Sequence, residues 1–177
     1  AIIPASSIGV EEVPYINMKK LGPRPLIAYS IKAALQSSVL DRVIVSTENE
    51  ELALIAKEYG AEAPFIRPAE LARRAAPLGS VLLHCVDYLE KKEGYHVDVV
   101  VVLVPIYPLL KPEIIDQGVR KLKTSKADTV ISMTVYQNEF WKRVDGQLTP
   151  VSGETGDDSE IEPLFWKNFA VTSPRRS

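Results

Sequence analysis

Arg67 is the residue whose type and position best suit ligand chemistry. It follows Ala63–Ile66, a short stretch readable as a strand, and precedes Pro68, so it projects from a strand's carboxyl end. The planar fork of a guanidinium suits a phosphate or a nucleotide. The other reading is a surface ion pair with Glu62 or Glu70. Nearer the N-terminus, Ile2-Ile3 begins an apolar run that Pro4 ends, and a loop follows to about Asn17. Ligands of α/β sheets sit outside the carboxyl ends of the strands, so Pro4–Asn17 is expected to form one wall of any site. In that loop Ser7 can donate a hydrogen bond to phosphate, although a loop serine is often just solvated. Gly9 would let backbone approach a ligand closely. Arg73 and Arg74 would bring cations from the opposite wall, or are plain surface charges.

His84 and Cys85 carry less. They fall on a helical stretch with Leu82, Leu83 and Val86, which reads as packing or a dimer face rather than as ligands or a nucleophile. No metal-spaced His/Cys cluster, Ser-His-Asp signature or Walker P-loop is visible. No catalytic residue and no metal ligand is assigned.

The elements that would position these residues alternate. Leu21-Gly22-Pro23-Arg24-Pro25 is a turn signal, and Leu26, Ile27, Ile31, Ala34 and Leu35 then recur at helical spacing, over about Leu26–Ser37 with Pro25 in the first turn. Arg42–Ser46 is short and β-branched, as a strand buried on both faces should be. Thr47 with Glu50 makes a capping-box pattern for a helix that runs to Tyr59 and stops at Gly60. A further helix is expected over about Val81–Lys92, ending at Gly94, and another from Pro112 to about Lys123. Val97–Val104 gives the strongest strand signal and is expected to be central, parallel and buried on both faces. Thr129–Val135 is the next strand. After Tyr136, Trp141–Val144 and Gln147–Val151 flank Asp145-Gly146, a two-residue hairpin signal. Ser152–Glu162 reads as an acidic loop, and Leu164–Thr172 as a last strand. The alternation predicts a three-layer α/β domain with a mainly parallel, doubly wound sheet and a β-hairpin extension. The whole chain, 1–177, is read as one domain, with the extension at about 136–163.

Composition excludes several classes. A net charge of −2 lacks the basic face that nucleic acid requires. The single cysteine forms no internal disulfide framework and suits a reducing, cytoplasmic setting. No apolar run approaches the roughly 20 residues that span a bilayer, and no signal peptide is seen. Ala1, at a strand edge and without an initiating methionine, suits a fragment or an incomplete chain.

Several local strings resemble the acylneuraminate cytidylyltransferases, or CMP-sialic acid synthetases. They are Ile2-Ile3-Pro4-Ala5, Asn17 followed by Leu21-Gly22, Pro25-Leu26-Ile27-Ala28-Tyr29, Asp41-Arg42-Val43-Ile44-Val45-Ser46-Thr47 and Phe65-Ile66-Arg67-Pro68-Ala69-Glu70-Leu71-Ala72. Pro105 and Pro108-Leu109 match the frame of a further motif, and Asn168 sits in what looks like a late Asn-Gly segment. The resemblance implies a nucleotide-diphospho-sugar transferase fold, usually dimeric. It implies transfer of CMP from CTP, with Mg²⁺, to the anomeric hydroxyl of a nine-carbon α-keto acid sugar. It places Ala5, Ser7, Asn17 and Arg67 on the nucleotide and Asn168 on the acceptor sugar; Asn17 also reads as an ordinary loop-ending asparagine. A Kdo-activating branch carries Leu-Pro-Gly-Lys-Pro-Leu after the first loop, and this chain does not.

The chain departs from the pattern where phosphate is handled. The family's Arg-Gly-Gly-Ser-Lys-Gly loop is replaced by Ser6-Ser7-Ile8-Gly9-Val10-Glu11-Glu12, so an arginine and a lysine give way to two acids. Its Ala-x-Asp-Thr-Ala-Ser reads Ala72-Arg73-Arg74-Ala75-Ala76-Pro77, and its Gln-Pro-Thr-Ser-Pro-Leu-Arg reads Val104-Pro105-Ile106-Tyr107-Pro108-Leu109-Leu110. Phe169 stands where the late motif has glycine, and the Asp-x-Asp metal pair lies beyond Ser177. Two expectations follow: cytidylyl transfer to a sialic-acid-like sugar, or a non-catalytic relative that binds nucleotide, dimerises or regulates.

Overall fold

The computed structural model describes residues 1–8, 13–73, 75–136, 141–151 and 164–174, with residues 136, 150 and 164–174 as backbone alone. In chain order the elements are β1 (Ile2–Pro4), a 3₁₀ turn (Ile16–Met18), β2 (Lys20–Leu21), β3 (Arg24–Pro25), α1 (Leu26–Leu35), β4 (Ile44–Ser46), α2 (Glu50–Glu58), a second 3₁₀ turn (Ala69–Leu71), α3 (Leu78–Glu93), α4 (Pro112–Thr124), β5 (Thr129–Tyr136), β6 (Trp141–Val144), β7 (Gln147–Pro150) and β8 (Leu164–Pro174). The chain divides into two compact units, Ala1–Ser132 with Phe169–Ser177, and Met133–Asn168.

The first unit is built on parallel pairing. β1 and β4 run side by side with Ile2 opposite Ile44, Ile3 opposite Val45 and Pro4 opposite Ser46. Parallel bridges from Ile2 to Val102 and from Ile44 to Glu62 add an extended segment on either side. Successive strand residues point to opposite faces, and both faces are covered. Ile3, Val45, Val101 and Leu103 pack with Ile27 and Ile31 of α1, Leu52 of α2 and Ile115 of α4. Ile2, Ile44 and Val97 pack with Cys85, Val86 and Leu89 of α3 on the other side. This is the three-layer, doubly wound architecture that strand–helix alternation predicts. Fully burying one large aliphatic side chain stabilises by roughly 1.5–3 kcal/mol, so α1 is held chiefly by Ile27 and Ile31, both 0 % exposed.

Local chemistry moves several boundaries. Pro25 sits at the N-cap of α1 rather than in its first turn, because it pairs with Lys20 in the small β2–β3 ladder. α3 starts earlier than the apolar spacing indicates, at Leu78 after Pro77, and ends on Gly94 in the left-handed conformation. The expected Thr47/Glu50 capping box does not form. Asn49 caps α2 instead, its side chain accepting from the Leu52 amide at 2.8 Å, while Thr47 is fully buried. Among the described residues Val97–Val104 carries isolated bridges at Val99 and Val102, the latter parallel to Ile2 of β1, and Val101, Val102 and Leu103 are all buried. Ala63–Ile66 is likewise no ladder strand; the bridge to β4 lies at Glu62.

In the second unit β6 and β7 pair antiparallel from Trp141–Pro150 to Val144–Gln147. The connecting residues Asp145 and Gly146 have φ 51° and 82°, as the two-residue hairpin turn demands.

Candidate functional site

The carboxyl ends of β1 and β4 bring the loop after Pro4 beside the residues after Ser46. The Ala5 amide continues the ladder by donating to the Ser46 carbonyl at 3.0 Å. The Arg67 amide donates to the Thr47 carbonyl at 2.8 Å, which pins the third segment to the same edge. From there the Arg67 side chain turns inward rather than to solvent. Nη1 donates to the Ser46 carbonyl at 3.2 Å, and Nη2 donates to the Ala5 carbonyl at 3.3 Å and to Glu48 Oε2 at 2.8 Å. Arg67 is only 4 % exposed. The expected surface pairing with Glu62 or Glu70 is therefore replaced: Glu62 is taken by Arg42, and the counter-ion of Arg67 is Glu48.

Glu48 is the centre of the arrangement. Its Oε1 accepts from the Ser7 amide at 2.7 Å, from Ser7 Oγ at 2.7 Å and from Ser6 Oγ at 3.1 Å. Burial alone would push its carboxyl up, but the hydrogen bonds from the Ser7 side chain and amide, with that of Arg67, hold it below the ordinary value of 4.5. The residue is thus an ionised carboxylate. Asn17, buried in the 3₁₀ turn, donates from Nδ2 to the Ser6 carbonyl at 2.9 Å. The Tyr15 amide donates to the Ser7 carbonyl at 3.1 Å. Tyr15 itself has φ 57°, a left-handed conformation that a bulky residue adopts only at some cost in strain. The loop is thus tied back on itself at both Ser6 and Ser7.

The structure places Ala5, Ser7, Asn17 and Arg67 in one cluster. Asn168 falls in β8 of the second unit, where only backbone is described. Arg73 is exposed, and Arg74, Gly9, Glu11 and Glu12 lie outside the described residues. Cys85 is fully buried and its thiol is pushed up to about 12, chiefly by burial, so it is no thiolate nucleophile. His84 stacks edge-on against Phe65 with ring centroids 4.8 Å apart.

Sequence reasoning missed Glu48. The available signal was its place two residues beyond the strand Arg42–Ser46, at the edge where ligands bind. The capping pattern over Thr47 and Glu50 drew attention from it. As for a metal, no group of three or more His, Cys, Asp or Glu among the described residues could hold one. The Glu48 oxygens are already engaged, so the described residues build no cation cage.

At the amino end of the same strands lies a cavity of about 120 Å³, lined by Ile2, Leu40, Arg42, Tyr95 and Val97 among others. Its arginine is already committed to Glu62 and Glu93, and its walls mix apolar side chains with Asp41, His96, Asp98 and Lys123.

Among known proteins, a family described as cytidylyltransferase matches residues 1–153. The chain is 35 % identical over 178 residues to a CMP-N,N'-diacetyllegionaminic acid synthase of Legionella pneumophila, covering 97 % of this chain and 75 % of the relative. It is 32 % identical to a pseudaminic acid cytidylyltransferase of Campylobacter jejuni over 136 residues, 77 % of this chain and 58 % of that one. A CMP:2-keto-3-deoxy-manno-octonic acid synthetase solved with CTP superposes with a TM-score of 0.68 at 14 % identity, over 98 % of this chain and 72 % of that one. A 4-diphosphocytidyl-2C-methyl-D-erythritol synthase from Anaerococcus prevotii gives 0.64 at 12 % identity, over 98 % and 69 %. At such identities the solved structures speak for the fold alone. It is that of the nucleotide-diphospho-sugar transferases.

Proposed function

Because this chain belongs to the cytidylyltransferase family, we propose that it transfers CMP from CTP to the anomeric hydroxyl of a sialic-acid-like α-keto acid sugar, releasing pyrophosphate. The observation that carries the reading is a buried arginine, Arg67, at the carboxyl edge of a parallel sheet, facing a loop whose Ser7 amide and hydroxyl converge on the same point. Such an edge is where this fold class receives nucleotides. Relatives named for legionaminic, pseudaminic and neuraminic acids support an acidic nine-carbon sugar as acceptor. None of them favours a non-catalytic role.

In this reading Arg67 and Ser7 meet phosphate oxygens, Ala5 and Asn17 fix the loop that presents Ser7, and Asn168 addresses the acceptor sugar. Mg²⁺ accompanies the triphosphate, held mainly by phosphate oxygens and water, as that ion usually is. No described residue is assigned to it. The protein works as a dimer, with the exposed β6–β7 hairpin meeting a second copy; Trp141 is 48 % and Leu148 60 % exposed.

Catalysis of this kind is positioning plus neutralisation of developing charge. Each preorganised donor lost costs roughly 10²–10³ in rate. With the loop arginine and lysine of the resembling family absent from Ser6–Glu12, turnover is expected well below about one per second, the low end of ordinary enzymes. The test is pyrophosphate release with saturating CTP and Mg²⁺, with legionaminic, pseudaminic and neuraminic acids as acceptors. Release with one acceptor above the no-sugar control supports the reading. No release with any of them, together with no CTP binding by calorimetry, overturns it.

A further inference from the structure

The donors that converge on Glu48 are the ones an oxyanion requires. They are a backbone amide and a hydroxyl from Ser7, a second hydroxyl from Ser6, and the guanidinium of Arg67, all within 2.7–3.1 Å of the carboxylate. Arg67 is buried and anchored independently, through Nη1 to the Ser46 carbonyl and through Nη2 to that of Ala5. Its Nε, and the buried Oγ of Ser46, have no hydrogen-bond partner among the described residues, so donor capacity is left over at this edge. We propose that Glu48 is an internal plug: its carboxylate occupies an oxyanion cradle formed by Ser6, Ser7 and Arg67, and a substrate phosphate binds by displacing it. The inference rests on the nucleotidyl-transfer reading and adds what fills the phosphate position before substrate arrives.

Carboxylate and phosphate oxygens compete for the same N–H and O–H groups. Two anions sharing one set of donors also repel. Displacement is open to Glu48, whose side chain is 15 % exposed, against 4 % for Arg67. The cradle therefore stays when the plug leaves. In the resting protein the plug supplies the counter-ion that a buried guanidinium requires. A ligand that must first open the site binds more weakly, in proportion to the rarity of the open form.

Inorganic tripolyphosphate is the probe, measured by calorimetry on the full chain. Glu48→Gln keeps the side-chain volume and removes the charge, and it is expected to bind tripolyphosphate and CTP at least tenfold more tightly than wild type. Equal or weaker binding of tripolyphosphate by the variant overturns the plug. If Glu48→Gln does not fold, wild type answers alone: saturating tripolyphosphate is expected to shift the ¹³C resonance of the Glu48 carboxyl carbon, and an unmoved resonance overturns the plug. The two readings separate cleanly. A variant that gains tripolyphosphate affinity but binds CTP no better than ATP sustains the plug and removes the cytidylyl reading. CTP-selective binding that is indifferent to Glu48→Gln does the reverse.

Discussion

Two arginines stand at opposite ends of β4 and solve the same charge problem differently. Arg42, before the strand, forks onto Glu62, reaches Glu93 Oε2 at 2.7 Å and lies 4.8 Å from the centre of the Tyr95 ring. Arg67 serves the far end, where its guanidinium takes two backbone carbonyls and one carboxylate. The side chain of Arg42 is 20 % exposed and that of Arg67 4 %. An arginine open to water shares its charge with solvent, so its pairs are worth little. A buried one has lost its hydration, and each remaining partner matters correspondingly more. A desolvated cation at the edge where the fold receives ligands is a functional signal; a solvated one at the other edge is a strut.

The widest separation is expected from truncation at the buried end. Arg67→Ala leaves the Glu48 carboxylate desolvated without its cation, a change that typically costs about 3–5 kcal/mol. Urea unfolding checks this, and CTP binding is expected to vanish in the same variant. A loss under about 1 kcal/mol would put Arg67 in the same class as Arg42 and break the contrast.

Conservative replacement sharpens it. Arg67→Lys keeps the charge but loses the fork, so an ammonium reaching Glu48 abandons the Ser46 or Ala5 carbonyl. An unsatisfied buried acceptor costs roughly 1–3 kcal/mol. Arg42→Lys also gives up a fork on Glu62 and a place over the Tyr95 ring, but Glu62 and Glu93 stay open to water, so its cost is expected to be smaller, below about 1 kcal/mol. Equal effects of the two lysines on the urea midpoint would show that burial does not raise the value of the fork, and would break the contrast.

Acid titration separates the carboxylates. The folded-state values of Glu48 and Glu62 both lie below the ordinary 4.5, Glu62 chiefly through its hydrogen bond from Arg42. A depressed value means that the ionised group stabilises the fold above the unfolded value, and that this stabilisation is lost as pH falls through the folded one. Wild type is therefore expected to weaken progressively below about pH 4.5. Glu48→Gln, having no such proton to take up, is expected to show a shallower acid limb in unfolding midpoints than wild type. An identical slope would mean that Glu48 titrates alike folded and unfolded.

How far the sequence discloses this contrast depends on the residue. Arg67 is legible because a strand-like stretch before it and a proline after it fix which edge it leaves from. Its partner is not, since ion pairing between residues 67 and 48 is a tertiary fact, and the Thr47/Glu50 spacing offered a local explanation that Asn49 displaced. The layer order is legible in the alternation of β-branched runs with amphipathic helices, because burial on both faces leaves that imprint directly. The length of the Val97–Val104 strand is not, since apolar character reports burial and says nothing of how many ladder bonds form. The loop from Ser6 shows the same limit. Its missing cations can be read residue by residue, whereas the closure of Ser7 onto Glu48 needs the fold.

The smallest effect is expected at the exposed end, and its salt dependence is what identifies it. Arg42→Ala removes exposed ion pairs worth about 0.2–1 kcal/mol each and a ring contact worth about 0.5–1 kcal/mol. It orphans nothing: the side chains of Glu62 and Glu93 are 45 % and 29 % exposed, so water can replace the guanidinium. Shared side-chain entropy reduces the sum, and the net loss is expected near 1 kcal/mol. Screening then divides that loss. The Debye length falls from about 10 Å at 0.1 M salt to about 3 Å at 1 M, so the ion-pair share shrinks more than the close contact of the guanidinium with the Tyr95 ring. Measured as the urea-midpoint difference from wild type, the Arg42→Ala effect is expected to fall by about half in 1 M NaCl. The Arg67→Ala effect is expected to hold, because buried pairs are screened far less. If salt erodes both alike, water reaches Arg67 as freely as Arg42, and the carboxyl edge of β4 loses its claim to be a desolvated site.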